Sequence, residues 1–129
     1  MGFFSKLLGL TPQVDPVHIE DANFQEEVIR SKEPVILDIW GPNCRPCKQL
    51  EPIMRGLAAE YDGRVKVCEM NTMLGPRAAA GLRVKGTPTV IYFRKGREVE
   101  RVVGMRGSLY HEQTIEEVFG IPKQEEAAS

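Results

Sequence analysis

The sequence predicts an α/β domain built on a central mixed β-sheet of about four or five strands, flanked by about four helices. Three observations carry that prediction. Val35-Ile36-Leu37-Asp38-Ile39-Trp40 is β-branched and almost continuously apolar, as in a strand covered on both faces. Leu50, Ile53, Met54, Leu57 and Ala58 then recur at helical spacing before a second apolar pattern at Val65, Val67, Cys68 and Met70. A crossover helix between two strands implies that they pair in parallel. Finally, Thr89 to Phe93, Lys95-Gly96 and Glu98 to Val103 read as a β-hairpin, which adds antiparallel pairing.

The elements follow in order. Met1 to Leu10 is apolar apart from Ser5 and Lys6 and the glycines, and Thr11-Pro12 breaks it off. It lacks the charged start and cleavage site of a secretory signal, and Lys6 stands where a myristoylation motif needs Ser or Thr. Two readings stand for it: a tail, or a short amphipathic helix touching a membrane surface or partner. We therefore divide the chain into an extension over 1–13, a domain over 14–122 and a polar tail over 123–129. Val17-His18-Ile19 is a short strand, with His18 as a surface residue on the sheet edge. Asp21 is expected to cap a helix over 22–30 that turns Phe24, Val28 and Ile29 inward. Ser31 to Pro34 turns into the central strand. The helix from Cys44 to Tyr61 contains Pro52, which removes a hydrogen bond and bends the axis. Cys68 is expected to be a packed core thiol. Pro76 starts a helical turn reaching Leu82, and Ser108 is expected to cap a last helix carrying Leu109, Ile115, Val118 and Phe119, stopped by Gly120 and Pro122.

The chemistry lies where the first long strand ends, in Trp40-Gly41-Pro42-Asn43-Cys44-Arg45-Pro46-Cys47-Lys48. At a helix start, free N–H groups and the helix dipole stabilise an anion, here the Cys44 thiolate. Cys47 falls one turn further in and is better shielded. That arrangement suits attack on a disulfide by Cys44 and resolution of the mixed disulfide by Cys47. The same pair could be half of a zinc site, but Cys68, His18 and His111 do not supply a second ligand pair, so no metal is expected.

The order Asp38-x-Trp40-x-x-x-Cys44-x-Pro46-Cys47-Lys48, then Pro52, Gly86-Thr87-Pro88-Thr89, Lys95-Gly96 and Gly104, resembles the thioredoxin family. The resemblance runs over roughly residues 14 to 120. It implies the thioredoxin fold and a thiol–disulfide oxidoreductase that reduces protein disulfides. No cofactor is implied beyond the Cys44–Cys47 couple, and a flavin-dependent reductase would recharge it. By the same resemblance Pro88 is a cis-proline facing the cysteines, and Thr87 pairs with a substrate backbone. Gly86, Val103, Gly104 and Met105 would line the rest of the groove. Asp38 would act through water as the base for the resolving cysteine, with a pKa raised by burial; an Asp bonded to backbone N–H groups at a strand edge is the plainer alternative. Trp40 would pack under the active-site turn, or serve as an ordinary core aromatic. Pro46 and Lys48 complete the tuning shell.

Four departures from the family pattern bear on that implication. Arg45 stands where thioredoxins have Gly, and a cation beside Cys44 should stabilise its thiolate. Asn43 replaces an aromatic wall of the substrate surface. Gly41-Pro42 stiffens the loop. Glu69 stands where many thioredoxins have Lys; turned towards Asp38 it makes two carboxylates share one site, and turned outward it does nothing. Arg45 and Glu69 act in opposite directions on the cysteine chemistry. An oxidase or isomerase, or a binding or chaperone-like module on the same fold, are the competing readings.

A net charge of -1 gives no reason to expect nucleic acid. No apolar run approaches the ~20 residues of a membrane span. Three cysteines are too few for a secreted disulfide scaffold and, with one C-x-x-C, suit a redox protein in a reducing compartment; a cytoplasmic monomer is expected.

Overall fold

A computed structural model describes residues 12–124, so the expectation for residues 1–10 lies outside the described residues. Five strands form one sheet in the order β1-β3-β2-β4-β5. They are β1 (Val17–Ile19), β2 (Val35–Trp40), β3 (Lys66–Asn71), β4 (Thr89–Arg94) and β5 (Arg97–Val103). β3 pairs in parallel with both β1 and β2, whereas β4 runs antiparallel to β2 and β5. The helical elements are α1 (Gln25–Ile29, one turn of π-helix), α2 (Arg45–Glu60), α3 (Pro76–Gly81) and α4 (Ser108–Phe119). The predicted mixed sheet and crossover are therefore both present.

Strand alternation sorts the core into two layers. Ile36, Val67, Val90, Tyr92 and Val102 pack with Leu50, Met54 and Leu57 of α2 and Ile115 and Phe119 of α4. On the opposite face Val35, Leu37, Ile39, Cys68, Met70, Ile91 and Phe93 pack with Val28 and Ala79, against Phe24, Ile29 and Leu82. β2 reads as unbroken apolar sequence because both of its faces are covered. Cys68 is the expected core thiol, and burial pushes its pKa up to about 12.

Two helix starts differ from expectation, each for a local reason. Asp21 does not cap α1. The Asn23 side chain takes the Glu20 N–H and returns a bond to the His18 carbonyl, which holds 20–23 in a turn and delays the helix. The Asp21 carboxylate instead accepts N–H bonds from Arg77 (3.0 Å) and Ala78 (2.8 Å) at the start of α3. α3 has Gly75 at its own cap, with no side chain to offer. A Cβ there would lie 2.3 Å from Met70 Sδ, so a larger residue would require the buried Met70 side chain to shift, and the cap arrives from 21. Ser108 likewise is the first residue of α4 rather than its cap; Gly107 occupies that place without a side-chain bond. Leu109 is 66% exposed, because it lies off the face of α4 that carries Ile115 and Phe119. Gly120, at φ 70°, closes that helix in the left-handed conformation.

The α4 layer holds a buried polar pair. The Tyr92 hydroxyl bonds His111 Nδ1, and His111 Nε2 is buried without a partner. Burial lowers the His111 pKa to about 4. The unfolded chain therefore binds a proton between about pH 6.5 and pH 4 that the folded state refuses, so His111 removes stability as pH falls through that window. Urea unfolding of the wild type and His111→Gln at pH 7 and pH 5 isolates the effect from all other titrating groups. The variant should gain about 2 kcal/mol relative to wild type on going from pH 7 to pH 5.

Candidate active site

β2 delivers its last residues to the N-terminus of α2. Cys44 is the N-cap, with extended backbone (φ -113°, ψ 103°), and its Sγ accepts the Cys47 N–H at 3.3 Å. Cys44 and Cys47 are joined as a disulfide, with Cα atoms 5.3 Å apart. Cys47 is buried and Cys44 only half-buried, so the first sulfur is the accessible one. Pro46 sits in the first turn, where its missing N–H leaves no helical bond unmade. Asn43 adopts φ 55°, a left-handed conformation that Asn tolerates better than most residues. Arg45 and Lys48 are exposed on the first turn of α2.

The antiparallel register sets Thr89 opposite Ile39, which brings the preceding loop level with Trp40. The Thr87-Pro88 peptide is cis. Pro88 is buried, and its carbonyl accepts the Gly104 N–H at 2.8 Å. Thr89 Oγ1 donates to the Gly86 carbonyl. A Cβ on Gly41 would lie 3.5 Å from Thr87 Oγ1, so the Cys loop and the Pro88 loop are neighbours. Beside them Val103 and Met105 expose 68% and 38% of their surface. The structure thus gathers Gly86, Thr87, Pro88, Val103, Gly104 and Met105 at one end of the sheet, next to the loop that bears Cys44.

Asp38 lies on the α2 face of β2, between Ile36 and Trp40 in the alternation. Only 4% of it is exposed, and its Oδ1 has no hydrogen-bond partner among the described residues. Burial first, then the Glu69 and Glu51 carboxylates, push its pKa up to about 7. Glu69 pairs with Asp38 across the β2–β3 ladder, so both side chains leave the same face. Of the two orientations open to Glu69, the structure shows the one towards Asp38. Its Oε1 accepts from Trp40 Nε1 at 2.6 Å, and its Oε2 lies 2.6 Å from His18 Nδ1. Asp38, Trp40, Glu69, Cys47, Lys48 and Glu51 line a cavity of about 470 Å³ together with Asp15 and Arg55. The Asp15 segment is fixed by Val14 N–H donating to the Arg55 carbonyl.

Sequence reasoning placed His18 on the surface edge, and it is exposed there, but its two carboxylate partners were missed. So were Asp15, Glu51 and Arg55. For Glu69 the signal is register alone, since β1 sets His18 opposite it; Glu20, two residues on, lay within a local window. Among the described residues no group of three or more His, Cys, Asp or Glu is placed to hold a metal ion. No helix among them is long and apolar enough to cross a membrane.

A family model described as Thioredoxin matches residues 15–117. The chain belongs to the thioredoxin family. It is 37% identical over 97 residues to a Thioredoxin of Synechocystis sp., covering 75% of this chain and 86% of that one. It is 35% identical over 98 residues to Thioredoxin 1 of Nostoc sp., covering 76% and 92% respectively. A Thioredoxin of Porphyra purpurea is 37% identical over 86 residues, covering 67% of this chain and 80% of its own. With its cysteine disulfide, this member of the thioredoxin family is a thiol–disulfide oxidoreductase acting on protein disulfides.

Burial of Asp38 opposes folding wherever the carboxyl must ionise. Its folded pKa is raised above the unfolded one, so stability is present at low pH and lost as pH rises through about 7. Asp38→Asn removes that loss. The stability advantage of the variant over wild type should grow by roughly 2–3 kcal/mol between pH 5 and pH 8, read from urea titrations of the oxidised protein.

Proposed function

We propose that Cys44 is the nucleophile and Cys47 the resolving thiol in reduction of protein disulfides. The observation that carries this reading is the disulfide at the α2 N-terminus, with Cys44 reachable and Cys47 covered. The Cys44 thiolate attacks one sulfur of the partner's disulfide, and the partner's other sulfur leaves as thiolate. Cys47 loses its proton and attacks Cys44 Sγ, the mixed disulfide breaks, and the partner's second thiolate departs. Two electrons pass from the Cys44–Cys47 dithiol to the partner. Asp38 receives the Cys47 proton; its position on the same cavity wall, and a pKa near neutrality, support that role.

The partner's chain lies along Thr87-Pro88 and pairs with Thr87 as a strand does. Gly86, Val103, Gly104 and Met105 form the groove, and Asn43 sets its opposite wall. Arg45 holds the Cys44 thiolate by charge. A flavin-dependent reductase recharges the couple, which needs no other cofactor. The protein works as a monomer in the cytoplasm, where its three cysteines remain one redox pair and one dry thiol.

Insulin reduction with dithiothreitol as electron source tests the assignment. Cys44→Ser should fall to the uncatalysed background. Cys47→Ser should also fail to turn over, but should accumulate a mixed disulfide through Cys44 that mass spectrometry detects. Mixed disulfide formed through Cys47 in Cys44→Ser, with none in Cys47→Ser, would reverse the roles.

A further inference from the structure

Asp38 has two carboxylate neighbours, and their counter-charges differ in kind. Glu51 lies 3.0 Å from the Arg55 guanidinium, a cation at every working pH. Arg55 also approaches Asp15 at 3.6 Å. Glu69 has His18, whose charge depends on pH. His18 presents Nδ1 to Glu69 at 2.6 Å and Nε2 to Glu20 at 2.8 Å, so the doubly protonated ring satisfies both carboxylates as a donor. Trp40 Nε1 fixes the other oxygen of Glu69. The half-exposed His18 ring therefore sits at the outer end of a chain of contacts whose inner end faces the buried acid.

We propose that Glu69, clamped between Trp40 and His18, is a positioning residue that sets the pH range over which Asp38 exchanges its proton, with His18 as its titratable counter-charge. The inference rests on the reading of Asp38 as the proton acceptor for Cys47. The physical argument is one of signs. A carboxylate beside Asp38 disfavours its ionised form. A protonated His18 offsets that field, and a neutral His18 does not. The bonds from Glu69 and then Glu20 raise the His18 pKa, which keeps the offset in place towards neutral pH. The other charged groups facing Asp38 come from α2 (Lys48, Glu51 and Arg55) and from the segment before β1 (Asp15). From β4 its register partner is the uncharged Val90.

The test is the Asp38 carboxyl titration, followed by NMR in the oxidised full-length protein with carbon-13-labelled aspartate. It needs no turnover. Glu69→Gln keeps the shape of the clamp and removes its charge; the Asp38 midpoint should move to lower pH by roughly half a unit or more. His18→Gln removes the counter-charge and leaves Glu69 in place; the midpoint should move to higher pH. In the double variant the His18 substitution should move the midpoint less than it does alone, because without Glu69 the ring loses the first of the two bonds that raise its pKa. Opposite shifts with that non-additivity support the proposal. An unmoved midpoint in either variant, shifts in the same direction, or an additive double variant overturns it. His18 is half-exposed, so its arm of the experiment stands even where Glu69→Gln does not fold. The pH dependence of mixed-disulfide resolution is measured alongside. Should the carbon midpoints shift as expected while that rate profile stays fixed, the positioning role of Glu69 holds and the role of Asp38 as base falls.

Discussion

β2 is hydrogen-bonded along both edges, by β3 in parallel and by β4 antiparallel, and is covered on both faces. That confinement governs the site. A strand so enclosed has no freedom to slide, because a slip by one residue would exchange its two buried faces. Its end therefore presents Cys44 to the first turn of α2 at a set position. The antiparallel neighbour brings the Pro88 loop to the same level, and the parallel neighbour brings Glu69 beside Asp38. One ionisable group, Asp38, is carried into the covered face, where desolvation shifts its acidity more than any single charge does.

The electrostatics of the site are unevenly shared between its two sulfurs. Cys44 is half-buried at the start of α2, with the cationic Arg45 next to it in sequence. Cys47 faces the cavity, whose walls carry the carboxyl groups of Asp38, Glu51 and Glu69 as well as the cations Lys48 and Arg55. A helix start favours a thiolate at the first position, whereas the covered second thiol must hand its proton to an acceptor before it can attack. That difference in surroundings supports the proposed order, attack by Cys44 and resolution by Cys47.

Much of this was legible from residue order. The strand–Cys–helix junction, the crossover and the hairpin at Lys95-Gly96 each rest on local pattern, and each is present. That Asp38 is a buried carboxylate follows from its place in an apolar strand; its role as a base is what the family resemblance implies. What escaped was cross-chain pairing. Asp21 carries the local signature of a helix cap, and it does cap a helix, but one that begins 55 residues later. His18 gave no sign of Glu69, because register between β1 and β3 depends on packing that no short window contains. Glu69 could be narrowed to two orientations and no further, since its direction follows from the pairing of β3 with β2.

The cap supplied by Asp21 also limits how separable the pieces of this fold are. α3 has no capping side chain of its own, and one at 75 would have to displace the Met70 side chain. A fragment cut out from β3 onward would leave two amide donors bare at its helix start. Moving the β3–α3 unit without the turn that carries Asp21 would separate α3 from its cap, so the natural seam for grafting this unit lies before residue 21 and not at a strand boundary.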